Sequence, residues 1–222
     1  MSRPVVVELW GHGRSPSPED AYAYRPEAYV LAFEELRAEL GVDRWFVCGQ
    51  SFGAALTLRY ALDHPERVAA QVFTNSASAL GDTEWVARMR RAGPAIADEI
   101  ERGGTAAIER MPIHPSRARR IPAKYREAVL ADAALVKPRG LAHTMRHGIP
   151  ESSVQPRLGE NRVPTLLVCG DREAAFRPHR EAAERELPHL EVVGADAGHA
   201  VNLEAADVFD RAAADFLRRH DG

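Results

Sequence analysis

Lysine, cysteine and long apolar runs are all scarce in this 222-residue chain. Lys124 and Lys137 are the only lysines, and 29 basic residues against 32 acidic ones give a net charge of −3. This balance argues against a nucleic-acid-binding protein and against a polybasic membrane-surface protein. No apolar run approaches the roughly 20 residues that span a bilayer. The N-terminus also lacks the basic-then-apolar pattern of a secretion signal.

The scarcity of cysteine bears on the compartment and on metal binding. Cys48 and Cys169 each end an apolar run, so we expect both to be buried strand residues without a disulfide, in a cytoplasmic protein. The nine histidines show no zinc-ligand spacing. His143 and His147 lie four residues apart on one helix face, but no third ligand accompanies them. The sequence therefore predicts no metal and no cofactor.

Strand-like and helix-like segments alternate along the chain. Strands are predicted at Val5–Leu9, Trp45–Cys48, Val68–Thr74, 164–170 and Leu190–Val193, and helices at 29–40, Phe52–Leu62, Thr83–Arg91, Ala95–Arg102, Ala123–Ala134 and Ala205–Leu217. Alternation of this kind predicts the α/β class, with a mostly parallel sheet and helices on both faces. Residues 78–161 show no convincing strand. We therefore expect a core of residues 1–77 and 162–222, interrupted by a helical cap of residues 78–161.

The segment Cys48–Leu56 places Gly49 and Gly53 two residues before and after Ser51, where a predicted strand ends and a helix begins. A sharp turn at this point forces its central residue into a strained conformation with positive φ. Small residues on either side let strand and helix approach closely. This is the pattern of a nucleophile elbow, which lifts a serine oxygen clear of the sheet beside a helix N-terminus. A tight turn with an incidental serine is the alternative.

A serine nucleophile needs a base, and the base needs an orienting acid. His199 follows the last predicted strand, on the same edge of the sheet as Ser51, and is the best placed of the histidines; a histidine that merely caps a helix is the alternative. Glu173 is the favoured acid and Asp171 the second choice, with Asp196 also near. Asn75 and Ser76 follow the strand that ends at Thr74, but neither supplies the negative charge that stabilises an imidazolium.

These residues resemble the α/β-hydrolase superfamily over nearly the whole chain outside the cap. The similar blocks are GHGRS (11–15), CGQSFG (48–53), HPERV (64–68), VPTLLVCGDREAAFRP (163–178) and GHAVNLEAADVF (198–209). The resemblance implies Ser51 as nucleophile, Glu173 as acid where relatives usually carry aspartate, and His199 as base. It also implies that the backbone N–H of Phe52 is one oxyanion donor, and that the cap sets substrate choice.

The same resemblance implies that strands are missing before Val5–Leu9. One of them would lie between this segment and Trp45–Cys48, and the loop after it would supply the second oxyanion donor. Three outcomes are open: a truncated gene, a shift of Val5–Leu9 into the vacant position, or a second chain that completes the sheet as a homodimer. In the shifted arrangement, Gly11–Gly13 would lie near the elbow and supply the second donor.

The expected reaction is acyl transfer from a small-molecule ester, lactone or related carbonyl compound to water. Gln50, Trp10, Met111 and Met145 are candidate substrate contacts, although cap helices also need apolar contacts among themselves. A cluster at Arg117–Arg120 would attract a carboxylate or form a solvated basic face. The alternatives are a non-catalytic protein of the same fold and a lyase or carbon–carbon hydrolase on the same scaffold.

Overall fold

A parallel sheet in the order β1-β2-β3-β4 forms the centre of the computed structural model, which describes residues 3–221. The strands in this part of the chain are β1 (Trp45–Gly49), β2 (Val68–Thr74), β3 (Thr165–Gly170) and β4 (Leu190–Ala195). All adjacent strands run parallel. Since helices cover both faces, β2 and β3 are buried along almost their whole length and appear in the sequence as nearly continuous apolar runs. The predicted α/β class is confirmed.

Helices connect and cover these strands. Their bounds are α1 (Pro26–Glu39), α2 (Phe52–Asp63), α3 (Ala77–Leu80), α4 (Thr83–Arg110), α5 (Ala123–Ala133), α6 (Pro138–His143), α7 (Arg177–Glu186), α8 (Val201–Glu204) and α9 (Ala206–Arg219). Strand residues alternate between the two faces. Phe73 points to α2 and α7, where it packs with Leu58 and Ala183. Its neighbour Val72 points to α9, where it packs with Phe216.

The helical insertion between β2 and β3 differs in one respect from the prediction. The helices expected at Thr83–Arg91 and Ala95–Arg102 form one continuous part of α4, which passes through Pro94 and is kinked only later, at Gly104 (φ 55°). An interior proline costs a helix about 3 kcal/mol, so the local pattern predicted a break. Packing outweighs this cost, because α4 buries Ile100 in one apolar cluster with Leu141 of α6.

The strand predicted at Val5–Leu9 is absent, and its shift into a sheet position is therefore wrong. Residues 5–9 have no strand partner within the described chain, and Val6 is 89% exposed. A β-branched run is favourable in a strand only when neighbouring strands pack against it. Leu9 and Trp10 instead pack against the apolar cluster formed by α1 and α2. As a result, β1 lies at an edge of the sheet.

The edge position of β1 also corrects the prediction that Cys48 is buried. Cys48 is exposed, whereas Cys169 on β3 is buried as expected, and both are free thiols. On β1, Val47 points to α1 and α2 and is buried. The next side chain, Cys48, points to the opposite face at the sheet edge, where it is left open to solvent.

The homodimer that would complete the sheet at β1 stays a prediction. We expect light scattering to give a mass twice the 24.4 kDa of one chain, because the open strand edge offers unpaired backbone groups to a second copy. Cys48→Lys adds a charge at this edge and should shift the protein toward monomer. A monodisperse monomer over a wide concentration range would contradict the dimer.

Candidate active site

Ser51 occupies the turn between β1 and α2 with φ 52° and ψ −119°. β1 ends at Gly49 and α2 begins at Phe52, so the chain reverses direction within two residues. A side-chain-bearing residue adopts positive φ only where its surroundings impose it, at a cost of order 1–3 kcal/mol. Among the non-glycine residues of the described chain, only His189 shares a positive φ with it. The structure thus shows the strained elbow conformation expected for this position.

The two glycines that flank Ser51 are not equivalent. A Cβ atom at Gly49 would lie 2.4 Å from the carbonyl oxygen of Gly53 and 2.6 Å from the Cα of Ala54, so the close approach of strand and helix requires glycine there. A Cβ at Gly53 would meet nothing within 4 Å. The expectation that both positions need a small residue is therefore wrong for Gly53.

The backbone N–H of Phe52 is available to donate a hydrogen bond. The next two amides, of Gly53 and Ala54, donate to the carbonyl oxygens of Gln50 at 2.9 Å and of Ser51 at 3.0 Å. Within residues 3–221 the N–H of Phe52 has no such acceptor. It lies in the first turn of α2, where the unpaired amides and the helix dipole favour an anion.

The side chain of Phe52 is held between the core and the insertion. Its ring makes an edge contact with Tyr29 of α1, with ring centroids 6.0 Å apart. On the insertion side, a π-helical turn, Thr144–Gly148, ends against the same ring. A Cβ at Gly148 would lie only 3.0 Å from Cζ of Phe52. The insertion therefore packs directly on the residue that follows Ser51.

The imidazole of His199 is paired with Glu173. His199 Nδ1 lies 3.1 Å from both carboxylate oxygens of Glu173, which directly follows the turn after β3. Burial acts to raise the pKa of the Glu173 carboxyl, but hydrogen bonds from His199 and Asn75 outweigh it and hold that pKa below its usual value. The carboxylate is thereby kept ionised beside the ring.

The other acidic residues considered from the sequence have different partners. Asp171 accepts a hydrogen bond from Arg180 at 2.9 Å. Asp196 forms an ion pair with Arg172, which holds the pKa of the Asp196 carboxyl below its usual value. Neither carboxylate hydrogen-bonds to His199 in the described part of the chain, so the geometry distinguishes Glu173 from both.

The loop that carries His199 lies against the elbow. Gln50, the residue before Ser51, donates from Nε2 to the carbonyl oxygen of His199 at 3.4 Å. Gly170, at the end of β3, allows this loop to come close, since a Cβ there would lie 2.0 Å from the carbonyl oxygen of Gly198. Within residues 3–221, no hydrogen bond joins the Ser51 hydroxyl to the His199 ring. Such bonds are often long in free enzymes and tighten when substrate binds.

Sequence reasoning missed three residues that support the site. Asn75 donates to Glu173 Oε2 at 2.8 Å, and Ser76 donates from Oγ to the carbonyl oxygen of Ser51 at 2.7 Å. Their position at the end of β2 was the available clue, because the carboxyl ends of parallel strands share one edge of a sheet. Neither residue carries a charge, and each acts as a hydrogen-bond donor instead.

Glu204 is the third missed residue, and it fixes the backbone on both sides of His199. Its carboxylate accepts from the N–H of Gly198 at 2.6 Å and from that of Ala200 at 3.4 Å. Arg120, from the insertion, donates to the same carboxylate at 2.9 Å. The Glu204 side chain is only 8% exposed, so these hydrogen bonds are shielded from solvent. Arg120 was predicted to lie on a solvated basic face or to attract an anionic substrate; its side chain is 47% exposed and also pairs with Glu204.

Two of the three amides of the 11–13 loop, which was predicted to supply the second oxyanion donor, are hydrogen-bonded to nearby carbonyl groups. The N–H of Gly11 donates to the carbonyl oxygen of Pro16 at 2.8 Å, and that of His12 to the carbonyl oxygen of Leu9 at 2.9 Å. The backbone of Gly11 also lies directly against Gly140 of α6. These amides stabilise their own turn and its contact with the insertion.

Of the candidate substrate contacts, Gln50 lies at the elbow, and Trp10 packs beside Tyr29 and Phe52 in one apolar cluster. Met111 and Met145 instead pack on the apolar cluster of the insertion itself. For these two methionines, the contacts match the structural alternative that the sequence left open.

Two cavities accompany these elements. One of about 600 Å³ lies between α4 and α5, with Ile108, His114 and Leu130 in its lining, and contains none of the candidate catalytic residues. A smaller one of about 40 Å³ adjoins Glu173 and Arg180.

Across residues 3–221, no three His, Cys, Asp or Glu side chains are grouped to hold a metal ion. No helix in this range has the length and apolar character that crossing a bilayer requires.

The sequence profile described as the alpha/beta hydrolase fold matches residues 3–206, and the chain belongs to this family. A Bacillus subtilis relative named as a 2-succinyl-6-hydroxy-2,4-cyclohexadiene-1-carboxylate synthase is 28% identical over 229 residues, covering 97% of this chain and 81% of its own length. Haloalkane dehalogenase 2 of Mycobacterium bovis is 26% identical, covering 98% of this chain and 78% of its own length.

Solved structures show the same fold. MenH from S. aureus aligns with a TM-score of 0.84 at 18% identity, over 97% of this chain and 83% of its own. The enol-lactonase from Burkholderia xenovorans aligns with a TM-score of 0.72 at 23% identity, over 95% of this chain and 78% of its own. The architecture of β1 to β4 with a helical insertion is thus that of α/β hydrolases.

The two elbow glycines give a matched stability test. Gly49→Ala should lower the free energy of unfolding by about 1–3 kcal/mol, because the new methyl group overlaps backbone atoms of α2. Gly53→Ala should change it by less than about 1 kcal/mol, toward stabilisation, because alanine is favoured over glycine in a helix. Urea unfolding of both variants measures the difference, and equal losses would contradict this geometry.

Proposed function

We propose that this protein is a serine hydrolase that cleaves a small carboxylic ester, a lactone or a related carbonyl compound through an acyl-enzyme on Ser51. The observation that carries the proposal is the strained elbow at Ser51, which lies beside the loop of His199. The His199 ring is in turn paired with Glu173. Strain of this kind is retained where the exposed serine oxygen is used. Enzymes are also what the named relatives have in common.

In the proposed mechanism, His199 accepts the proton of the Ser51 hydroxyl as its oxygen attacks the substrate carbonyl. The N–H of Phe52 stabilises the oxyanion that forms. His199 then gives the proton to the departing alcohol oxygen, and the acyl group remains on Ser51. Water, deprotonated by His199, attacks this ester, and His199 returns that proton to the departing Ser51 oxygen as the acid is released. Glu173 orients the ring through Nδ1 and stabilises the imidazolium during both steps.

The substrate class is inferred from the neighbours in the fold and from the chemistry of the site. The solved structures include an esterase from Thermogutta terrifontis, with a TM-score of 0.79 at 21% identity, besides the enol-lactonase. Each of these names denotes attack on a carbonyl carbon bonded to oxygen. The proposed steps need only protein groups and water, so they call for no cofactor.

A second candidate is a non-hydrolytic reaction on the same scaffold. It is favoured by the Bacillus subtilis relative, which covers 97% of this chain and is named as a synthase. In such a reaction Ser51 and His199 act together as a base on a carbon acid, and no acyl-enzyme forms. The two candidates therefore differ in whether a covalent intermediate accumulates.

Replacement of the nucleophile tests the main proposal. We expect the wild-type protein to hydrolyse short p-nitrophenyl esters, and Ser51→Ala to lower kcat/KM by about 10⁴-fold or more, because no other group replaces the attacking oxygen. A fluorophosphonate probe should label wild type and not Ser51→Ala. Ser116→Ala, at a serine of the insertion whose hydroxyl contacts His114, is the matched control and should behave as wild type.

Mass spectrometry separates the candidates. An acyl adduct of Ser51 during ester turnover supports the hydrolase. Fluorophosphonate labelling of Ser51 without turnover of any ester or lactone supports the non-hydrolytic reaction and contradicts the hydrolase. Absence of both labelling and turnover contradicts both candidates and supports a non-catalytic protein.

A further inference from the structure

Asn75 contacts Glu173 but takes no part in the proposed reaction steps. It directly follows β2 and is completely buried, at 0% relative exposure. A buried amide is costly unless its polar atoms are hydrogen-bonded. An amide at this position cannot serve as the acid that stabilises an imidazolium. Its contacts show a different use.

The three hydrogen bonds of the Asn75 side chain are all directed toward the acid and the strand end before it. Nδ2 donates to Glu173 Oε2 at 2.8 Å and to the carbonyl oxygen of Gly170 at 3.1 Å. Oδ1 accepts from the N–H of Gly170 at 2.9 Å. Since that backbone N–H can only donate, the amide has one orientation, and Nδ2 must face Glu173.

The carboxylate oxygen that Asn75 holds also contacts the base. Glu173 Oε2 lies 3.1 Å from His199 Nδ1, as does Oε1. The glutamate side chain has one more rotatable bond than aspartate. Its carboxylate therefore needs an additional contact to keep both oxygens beside His199 Nδ1. The bond from Asn75 supplies that contact from a rigid strand end.

An amide is the side chain that meets this need. Aspartate at position 75 would have the same shape but would place a second carboxylate 2.8 Å from that of Glu173, and like charges at this distance are not both ionised at neutral pH. Leucine has a similar volume but can donate no hydrogen bond. Only a neutral donor of this length holds Glu173 without competing for its charge.

We propose that Asn75 is a positioning residue that fixes the carboxylate of Glu173 and, through it, the ring of His199. This proposal rests on the proposed function for its kinetic consequence but not for its geometry. Asn75 touches neither the substrate nor the reacting atoms. It acts before the reaction, by selecting one carboxylate orientation in the free protein.

Asn75→Leu and Asn75→Asp are the test variants. Thr74→Val is the matched control, since Thr74 adjoins Asn75, is 1% exposed, and has a buried hydroxyl without a hydrogen-bond partner in the described chain. With a p-nitrophenyl ester, we expect Asn75→Leu to lower kcat by about 10–100-fold, as is typical when a supporting hydrogen bond is lost, with KM changed less than about 3-fold. Thr74→Val should stay within about 2-fold of wild type in both constants.

A double-mutant cycle distinguishes positioning from general destabilisation. In a Glu173→Gln background, Asn75→Leu should lower kcat by less than about 3-fold, because the carboxylate that it positions is gone. Equal losses with and without Glu173 would overturn the proposal.

The Asn75→Asp variant keeps the shape of the side chain and tests the charge. Its added negative charge should move the acidic limb of the profile of kcat/KM against pH to higher pH, because a nearby anion favours the protonated form of Glu173. An acidic limb at the wild-type position would overturn the proposal, since it would mean that the side chain at position 75 does not contact the ionised carboxylate of Glu173.

Proton NMR gives a readout that needs no turnover. The hydrogen-bonded Nδ1 proton of His199 is assigned as the downfield resonance that disappears in His199→Gln. We expect Asn75→Leu to shift or broaden it and Thr74→Val to leave it unchanged. If wild type hydrolyses no ester but this pattern holds, the proposed function fails and the positioning role stands. If wild type is active and the resonance ignores Asn75, the positioning role fails alone.

Discussion

The strained backbone at Ser51 is the constraint from which the rest of the site follows. A residue with a side chain stays at φ 52° only if strand, turn and helix are held from several directions. Gly49 permits the close contact of β1 with α2, and Ser76 binds the carbonyl oxygen of Ser51 from the end of the neighbouring strand. The same sheet edge carries Glu173 after β3 and His199 after β4, so three distant parts of the chain converge where the strands end.

Much of the fold could be predicted because its strands are buried on both faces. β2 and β3 lie between two layers of helices and are therefore visible as apolar runs. The prediction failed where pairing decides the outcome: Val5–Leu9 has strand-like residues but no partner, and Cys48 lies on an edge strand that residue composition does not reveal. It also failed at Pro94, where contacts between distant helices outweigh a local preference.

The residues of the candidate site also differ in how far the sequence alone could predict them. Ser51 and His199 follow strands and carry reactive groups, so their residue types and positions were sufficient to select them. Glu173 could be favoured over Asp171 but not separated from it, because only the fold shows that Arg180 takes one carboxylate and His199 the other. The supporting bonds of Ser76 and Glu204 join residues that are distant in sequence or act on backbone atoms, and no local pattern marks such partners.

The ion pair between Arg120 and Glu204 joins the insertion to the loop that carries His199. Glu204 is enclosed and grips the chain on both sides of His199, while Arg120 belongs to the insertion. A displacement of this part of the insertion would either remove the guanidinium of Arg120 from a largely buried carboxylate, which is costly, or displace the loop of His199 with it. The backbone around His199 is therefore coupled to the position of the insertion, and substitutions of the insertion near Arg120 are expected to change the orientation of the imidazole as well.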